Sequence, residues 1–189
     1  MLHKKTHRNM SLLARAAVIA AIAIVGAATP AAGLPASAPA ETPGRVPQCG
    51  VRDVDVALGD SEGTAGTRYH ALVFTNNGRR TCTVQGFPGV SFVAGDDGHQ
   101  VGAPAASVGT AGPAVTLAPR GTAAAPLGVV NPDNFDPADC LVVPVRGLRV
   151  YPPNERKAEF LPWATRACSG PIPESQLKIG TVHPGSGLT

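Results

Sequence analysis

The sequence has few of the side chains that catalytic and metal sites need. Aromatic residues make up 4% of its 189 residues, and it has five histidines and two methionines. Both methionines lie within the first ten residues, and three histidines follow residue 40, namely His70, His99 and His183. Thioether and imidazole side chains are the ligands that select copper. Three scattered histidines and no methionine after residue 40 therefore exclude the usual copper site. The Cys-x-x-Cys spacing of redox and zinc sites is also absent. We therefore expect no cofactor and no metal ion.

The apolar run near the N-terminus is too short to span a membrane comfortably. It covers residues 16–28 and follows a basic stretch with Lys4, Lys5 and Arg8. A bilayer needs roughly 20 apolar residues, whereas a basic segment, a short apolar run and small residues beyond it are typical of a secretory signal peptide. We predict a signal peptide over residues 1–28, with cleavage there or as late as residue 40. An uncleaved membrane anchor is the alternative.

The export signal also decides the localisation and the charge that we expect. No cysteine follows the apolar run directly, so we expect a secreted, extracytoplasmic protein that is not lipid-anchored and meets the membrane only transiently through the signal. The formal charge of +3 rests on 16 bases and 13 acids. Removal of the first 40 residues takes Lys4, Lys5, Arg8 and Arg15 and no acid, which leaves 12 bases and 13 acids. This balance argues against nucleic acid and anionic membrane as partners.

Helical periodicity is absent beyond the signal, while short alternating or apolar runs recur. In the first run Val54, Val56 and Leu58 share one face and Asp53 and Asp55 share the other, so one face is buried and one faces water. Short runs broken by Gly, Pro and Asn predict an all-β domain of two packed antiparallel sheets. The predicted strands cover residues 51–58, 68–75, 81–84, 90–94, 114–118, 122–130, 141–143, 148–151 and 176–182.

The composition divides the chain after the signal into three parts. Residues 29–48 are rich in Pro and Ala and predict a disordered linker. Residues 49–183 form the predicted β-sandwich domain, and residues 184–189 a flexible tail. Asn76-Asn77-Gly78 predicts a tight hairpin turn, residues 95–98 predict a second turn, and Asn131 opens a predicted helical turn over residues 132–139.

Four cysteines lie in the exported part of the chain. They are Cys49, Cys82, Cys140 and Cys168, and four cysteines allow three pairings. Sequence order favours Cys49 with Cys82 and Cys140 with Cys168, since each half of the domain then carries one bridge. Disulfides persist outside the cytoplasm, and a metal or redox site is the competing interpretation.

Several segments together resemble one known family. Cys49 is followed by a Gly-rich stretch up to Gly66 and by Thr-Cys-Thr-Val-x-Gly-Phe-Pro-Gly-Val over residues 81–90. Leu-Ala-Pro-Arg-Gly at 117–121 and Leu-Arg-Val-Tyr-Pro-Pro at 148–153 complete the pattern. This order resembles the actinobacterial exported family catalogued as domain of unknown function 4232. The resemblance implies an immunoglobulin-like or related β-sandwich with bridged cysteines, and it brings no established activity and no catalytic residues.

Two small clusters of polar residues allow competing functions. His99 as general base with Asp97 as its orienter would suit a small secreted hydrolase, with a serine such as Ser91 or Ser107 as nucleophile. The carboxylates of Asp133, Asp136 and Asp139 would suit a weak calcium site, against a solvated loop.

The few aromatic residues supply the candidate binding site. Rigid aromatic side chains anchor ligands on the end loops of β-sandwiches. Tyr151, Phe160 and Trp163 lie in a proline-rich segment that predicts a stiff loop. We expect an exported, non-catalytic module that binds an envelope glycan or protein through this segment or has a structural role at the cell envelope. The small hydrolase and a self-associating structural module are the alternatives.

Overall fold

The computed structural model describes residues 44–188, and this part of the chain is built almost entirely from strands. It contains a 3₁₀ turn at Pro132–Asn134 and one short helix, α1, at Pro137–Cys140. The strands are β1 (Val54–Thr64), β2 (Thr67–Asn76), β3 (Cys82–Val84), β4 (Gly89–Ala94), β5 (His99–Val101), β6 (Ala106–Ser107), β7 (Val115–Leu117), β8 (Thr122–Val130), β9 (Val142–Tyr151), β10 (Glu159–Cys168), β11 (Leu177–Ile179) and β12 (His183–Pro184). The predicted signal peptide and residues 29–43 of the predicted linker lie outside the described residues. Among residues 44–188, no helix is long and apolar enough to cross a membrane.

The strands form two main sheets in a sandwich-like arrangement. The first sheet has the order β1-β2-β8-β11-β6, with β12 also paired to β8, and the second has the order β10-β9-β4-β5. Strands β3 and β7 form a separate pair. Pairing is antiparallel except between β6 and β11, so the predicted all-β fold with packed antiparallel sheets is confirmed. The immunoglobulin-like type stays a prediction.

One hydrophobic core lies between the two main sheets. Val54, Leu72 and Phe74 from the first sheet and Phe92 and Leu148 from the second belong to a single cluster of buried residues. Fully burying a side chain of this size contributes roughly 1.5 to 3 kcal/mol. The alternation predicted for the first run holds as well, because Val54 is fully buried, Val56 and Leu58 pack against the core, and Asp55 is exposed.

Most of the predicted strands are present, and four strands were missed. The runs at 141–143 and 148–151 are parts of one strand, β9, and the strands without a prediction are β5, β6, β10 and β12. Strand β10 contains Pro162, which argues against a strand by pattern alone. Its register to β9 shifts between Pro162 and Thr165, and this irregularity accommodates the proline at the edge of the sheet. The prediction of a loop at Phe160 and Trp163 was therefore wrong.

The predicted turns have mixed outcomes. Asn76-Asn77-Gly78 does not form a hairpin, because β2 pairs with β1 and β8 while β3 pairs with β7. The tight hairpin lies between β1 and β2 instead, where Ala65 and Gly66 both have positive φ angles, of 40° and 80°. The turn at residues 95–98 joins β4 and β5, and the helical turn begins at Asn131, whose side chain accepts a hydrogen bond from the Asp133 N–H.

Both predicted disulfides are confirmed, Cys49 with Cys82 and Cys140 with Cys168. Backbone pairing begins just before the predicted domain boundary, since the Thr83 N–H donates to the carbonyl of Pro47. The C-terminal end differs from the loose tail that the sequence predicts. Pro184 belongs to β12, and Leu188 packs against a small buried cluster that includes Ala71 and Val73.

Candidate functional site

The three candidate aromatic residues do not form one surface. Tyr151 is the last residue of β9 and is half-buried, next to Gly89 of β4. Phe160 and Trp163 both lie on β10, where burial alternates along the strand. Phe160 is exposed and Trp163 is half-buried against the core, so the two side chains belong to opposite faces of this strand. Of the three, Trp163 alone lines the cleft described next.

A cleft of about 660 Å³ opens between the β1–β2 hairpin and β10. We call it the hairpin cleft. The hairpin and β8 with the residues after it form two walls, and β10 forms the third. The lining residues are Ser61, Gly63, Thr64, Ala65, Gly66, Thr67, Arg68, His70, Val129, Val130, Asn131, Pro132, Trp163, Thr165 and Arg166. The cleft therefore combines one large aromatic side chain, several hydroxyl groups and two guanidinium groups, in a volume usual for ligand sites.

Trp163 is held in place by two other rings. Its ring stacks on that of Phe92 in β4, with centroids 6.3 Å apart and an interplanar angle of 25°. His70 of β2 meets the same indole edge to face, at a centroid distance of 5.0 Å. Such pairs contribute roughly 0.5 to 1.5 kcal/mol beyond their buried area. The two contacts fix the indole where both sheets of the sandwich meet the cleft.

His70 is the buried polar residue of this cleft. It is 8% exposed, and its Nε2 atom has no hydrogen-bond partner within residues 44–188. Burial lowers the pKa of His70 from its ordinary value, and the nearby charge of Arg68 lowers this pKa further. A buried polar atom without a partner costs roughly 1 to 3 kcal/mol. Sequence reasoning assigned His70 no role, and its place on the same strand face as the core residue Leu72 was the available signal.

A Gly-x-Ser-x-Gly motif, which is typical of serine hydrolases, also lies at this cleft. Residues 59–63 read Gly-Asp-Ser-Glu-Gly, and Ser61 is directly opposite His70 in the pairing of β1 with β2. In serine hydrolases this motif forms a sharp turn from a strand into a helix. Here it lies entirely within β1, and Ser61 Oγ is joined to Arg68 at 3.5 Å rather than to His70. The motif thus lacks both the turn and the nucleophile–base hydrogen bond.

The predicted pair of His99 and Asp97 is present, and both side chains are exposed to solvent. His99 Nδ1 lies 2.8 Å from Asp97 Oδ1, and the two side chains are 57% and 73% exposed. The hydrogen bonds from His99 lower the pKa of Asp97. Both residues lie at the turn between β4 and β5, and within residues 44–188 no serine side chain is hydrogen-bonded to His99.

Two of the three aspartates of the helical turn have side-chain partners in the described residues. Asp136 accepts a hydrogen bond from the Ala138 N–H at 2.8 Å and so caps α1. Asp133 forms an ion pair with Arg166 at 3.3 Å. Within residues 44–188, no group of three acidic, histidine or cysteine side chains is arranged to hold a metal ion.

A comparison with protein families finds a match to the family described as "Domain of unknown function (DUF4232)", over residues 49–183. No curated protein and no solved structure matches this chain.

Proposed function

The chain belongs to the DUF4232 family, whose description assigns no function. We propose that the protein is an exported, non-catalytic module that binds an acidic saccharide in the hairpin cleft. The observation that carries the proposal is the position of Trp163 at the wall of a cleft rich in hydroxyl and guanidinium groups. Both disulfides suit the oxidising environment outside the cytoplasm, which supports export.

The chemistry of the lining favours a sugar over a purely apolar ligand. The flat face of an indole packs on the C–H groups of a sugar ring, while its N–H keeps a polar contact. Ser61, Thr64, Thr67 and Thr165 bring hydroxyl groups to the same cleft. Hydroxyl groups both donate and accept hydrogen bonds, as sugar hydroxyls do.

The charge of the cleft favours an acidic sugar over a neutral one. Arg68 and Arg166 are both exposed at the cleft. Arg166 is paired with Asp133, whereas no carboxylate lies within 4.0 Å of the Arg68 guanidinium in residues 44–188. A guanidinium binds a carboxylate through two parallel hydrogen bonds. Arg68 is therefore the residue that we expect to pair with the acid group of the ligand.

The arrangement supports binding rather than hydrolysis. A general base must lie within hydrogen-bond reach of the group that it deprotonates. His99 and Asp97 are paired at an exposed turn without a serine, and Ser61 and His70 share the cleft without a hydrogen bond between them. The hydrolase alternative would need a rearrangement at either place.

Calorimetric titration with oligogalacturonate, and with a neutral cello-oligosaccharide of equal length, tests the proposal. We expect Trp163→Ala to weaken binding of the acidic sugar at least about tenfold, since stacking on a hot-spot aromatic contributes over about 1.4 kcal/mol. Phe160→Ala is the matched control, because it removes an exposed aromatic from the other face of the same strand. Arg68→Gln should weaken binding of the acidic sugar alone.

Three results would contradict the proposal. One is that neither sugar binds at millimolar concentration, and another is an equal loss of affinity in the Phe160→Ala control. The third is cleavage of the sugar by the wild-type protein that Ser61→Ala or His99→Gln abolishes. Because Trp163 contacts the core, Trp163→Phe, which keeps a ring in place, and a circular-dichroism spectrum separate lost binding from lost folding.

A further inference from the structure

Seven cationic side chains lie at the end of the sandwich opposite the hairpin cleft. The two regions are at the two ends of β2, since the cleft includes Thr67 and the cationic end follows Asn76. We call this region the basic end, and all seven of its cations are exposed. They are Arg45, Arg52, Arg79, Arg80, Arg120, Arg156 and Lys157.

The fold brings these cations together from four separate segments of the chain. Arg52, Arg80, Arg156 and Lys157 line one depression of about 550 Å³. Arg45 lines a neighbouring depression of about 510 Å³, and Asn154 borders both. The side chain of Asn76 donates to the backbone carbonyl of Arg80, and the backbone carbonyl of Asn76 accepts from the Arg120 N–H. These two contacts bring the loops of Arg79 and Arg120 to the same end.

The basic end carries a large local excess of positive charge. Within its main depression the acids are Asp53, which pairs with Arg80 at 3.4 Å, and Glu155. Asp55 and Glu159 add negative charge close by, so between three and five of the seven cations are not balanced. Residues 44–188 hold twelve basic and twelve acidic residues. The remainder of the domain therefore carries a net negative charge. The two regions have opposite charges although the formal charge of residues 44–188 is zero.

We propose that the basic end binds inorganic polyphosphate through the phosphate groups of this linear polyanion. Six of the seven cations are arginines, whose guanidinium groups bind phosphate oxygens in pairs. The two adjoining depressions are concave and exposed, and so they suit a chain that enters them. A flat bilayer does not reach into such depressions, and Val46 is the single exposed large hydrophobic residue among those that line the two depressions. Membrane-surface binding usually needs a larger apolar contribution.

Binding of inorganic polyphosphate to the whole chain tests this inference. The double variant Arg156→Gln/Lys157→Gln removes two cations that line the main depression. Neither cation forms an ion pair within the described residues. We expect this variant to raise the apparent Kd on the order of tenfold, because two fewer cations are then available to neutralise phosphate charges and release their counterions. We also expect affinity to fall steeply as the salt concentration rises, with a smaller slope in the variant.

The matched control is Arg146→Gln/Lys178→Gln, which removes two exposed or half-exposed cations that line neither depression of this end and changes the net charge equally. The control should bind like the wild type, and the N-terminal cations are the same in every variant. An equal loss in the control would overturn the inference, as would binding that does not respond to salt. Tighter binding to phosphatidylglycerol vesicles or to a single-stranded oligonucleotide of equal charge would also overturn it, since the occupant would then be a membrane or a nucleic acid.

These variants do not touch the hairpin cleft. Loss of polyphosphate binding with unchanged saccharide binding, or the reverse, therefore tells the two proposals apart. Arg68→Gln provides the complementary variant, because it changes the cleft and leaves the basic end intact.

Discussion

Asn76 shows how a single residue acquires a role that its type does not predict. In the sequence it belongs to an Asn-Asn-Gly turn signal, but it is fully buried at the end of β2. Its side chain donates to the carbonyls of Arg80 and Leu117, each at 2.9 Å, and accepts from the Gly78 N–H. A buried amide is tolerated only when its hydrogen bonds are made. Asn76 therefore joins the start of the basic end to β7.

His70 leads to a pH-dependent prediction at the same scale. Its pKa is lowered first by burial and then by Arg68, from an ordinary value of 6.5. The unfolded chain consequently binds this proton at a higher pH than the folded chain, so the free energy of unfolding falls as the pH drops below the ordinary value. We expect His70→Phe, which keeps a ring against Trp163, to reduce the acid-dependent loss of stability.

Urea unfolding at about pH 7.5 and about pH 5 measures this effect. His99→Gln is the control, since His99 is exposed, and it should keep the acid-dependent loss of the wild type. If His99→Gln reduced that loss as much as His70→Phe, burial of His70 would not be its source.

At the scale of elements, the form of β10 positions Trp163. The register shift between Pro162 and Thr165 lets a proline stay in the strand. Gly147 of β9 is opposite Pro162, and a Cβ atom there would lie closest to the carbonyl oxygen of Leu161 and 3.0 Å from the backbone nitrogen of Trp163. Glycine at this position therefore allows β9 and the irregular part of β10 to approach each other closely.

We expect Gly147→Ala to destabilise the domain by roughly 1 to 3 kcal/mol, because the added methyl group overpacks the contact with β10. Gly187→Ala is the matched control, as nothing lies within 4 Å of a Cβ atom at Gly187. The control should change stability by no more than about 0.5 kcal/mol. Thermal unfolding of both variants decides the matter, and equal shifts in Tm would contradict the role of Gly147.

At the scale of the whole molecule, each disulfide reinforces a junction that also has backbone hydrogen bonds, from Cys49 to Thr83 in one case and from Gly170 to Cys140 in the other. Cys49–Cys82 joins the segment before β1 to β3, and Cys140–Cys168 joins α1 to the end of β10. The sequence separations are 33 and 28 residues. Neither bridge spans the hairpin cleft, which depends on the main sheets.

Removal of either bridge should cost a similar free energy. The entropy of closing loops of this length amounts to roughly 3 to 4 kcal/mol for each bridge. We expect Cys49→Ala/Cys82→Ala and Cys140→Ala/Cys168→Ala to lower the free energy of unfolding by comparable amounts, measured by chemical unfolding under non-reducing conditions. A negligible cost in either pair would show that packing alone holds that part of the domain.

The sequence by itself determined the all-β class, most strands, both disulfide pairs and the family, because alternation, turn residues and cysteine order are local signals. It did not show that Pro162 lies within a strand, since the register shift that accommodates this proline depends on the pairing with β9. It also did not show that Trp163 meets His70 across two sheets, or that seven cations share one end. Those contacts join residues far apart in the chain, and only the packing of the two sheets brings them within reach of each other.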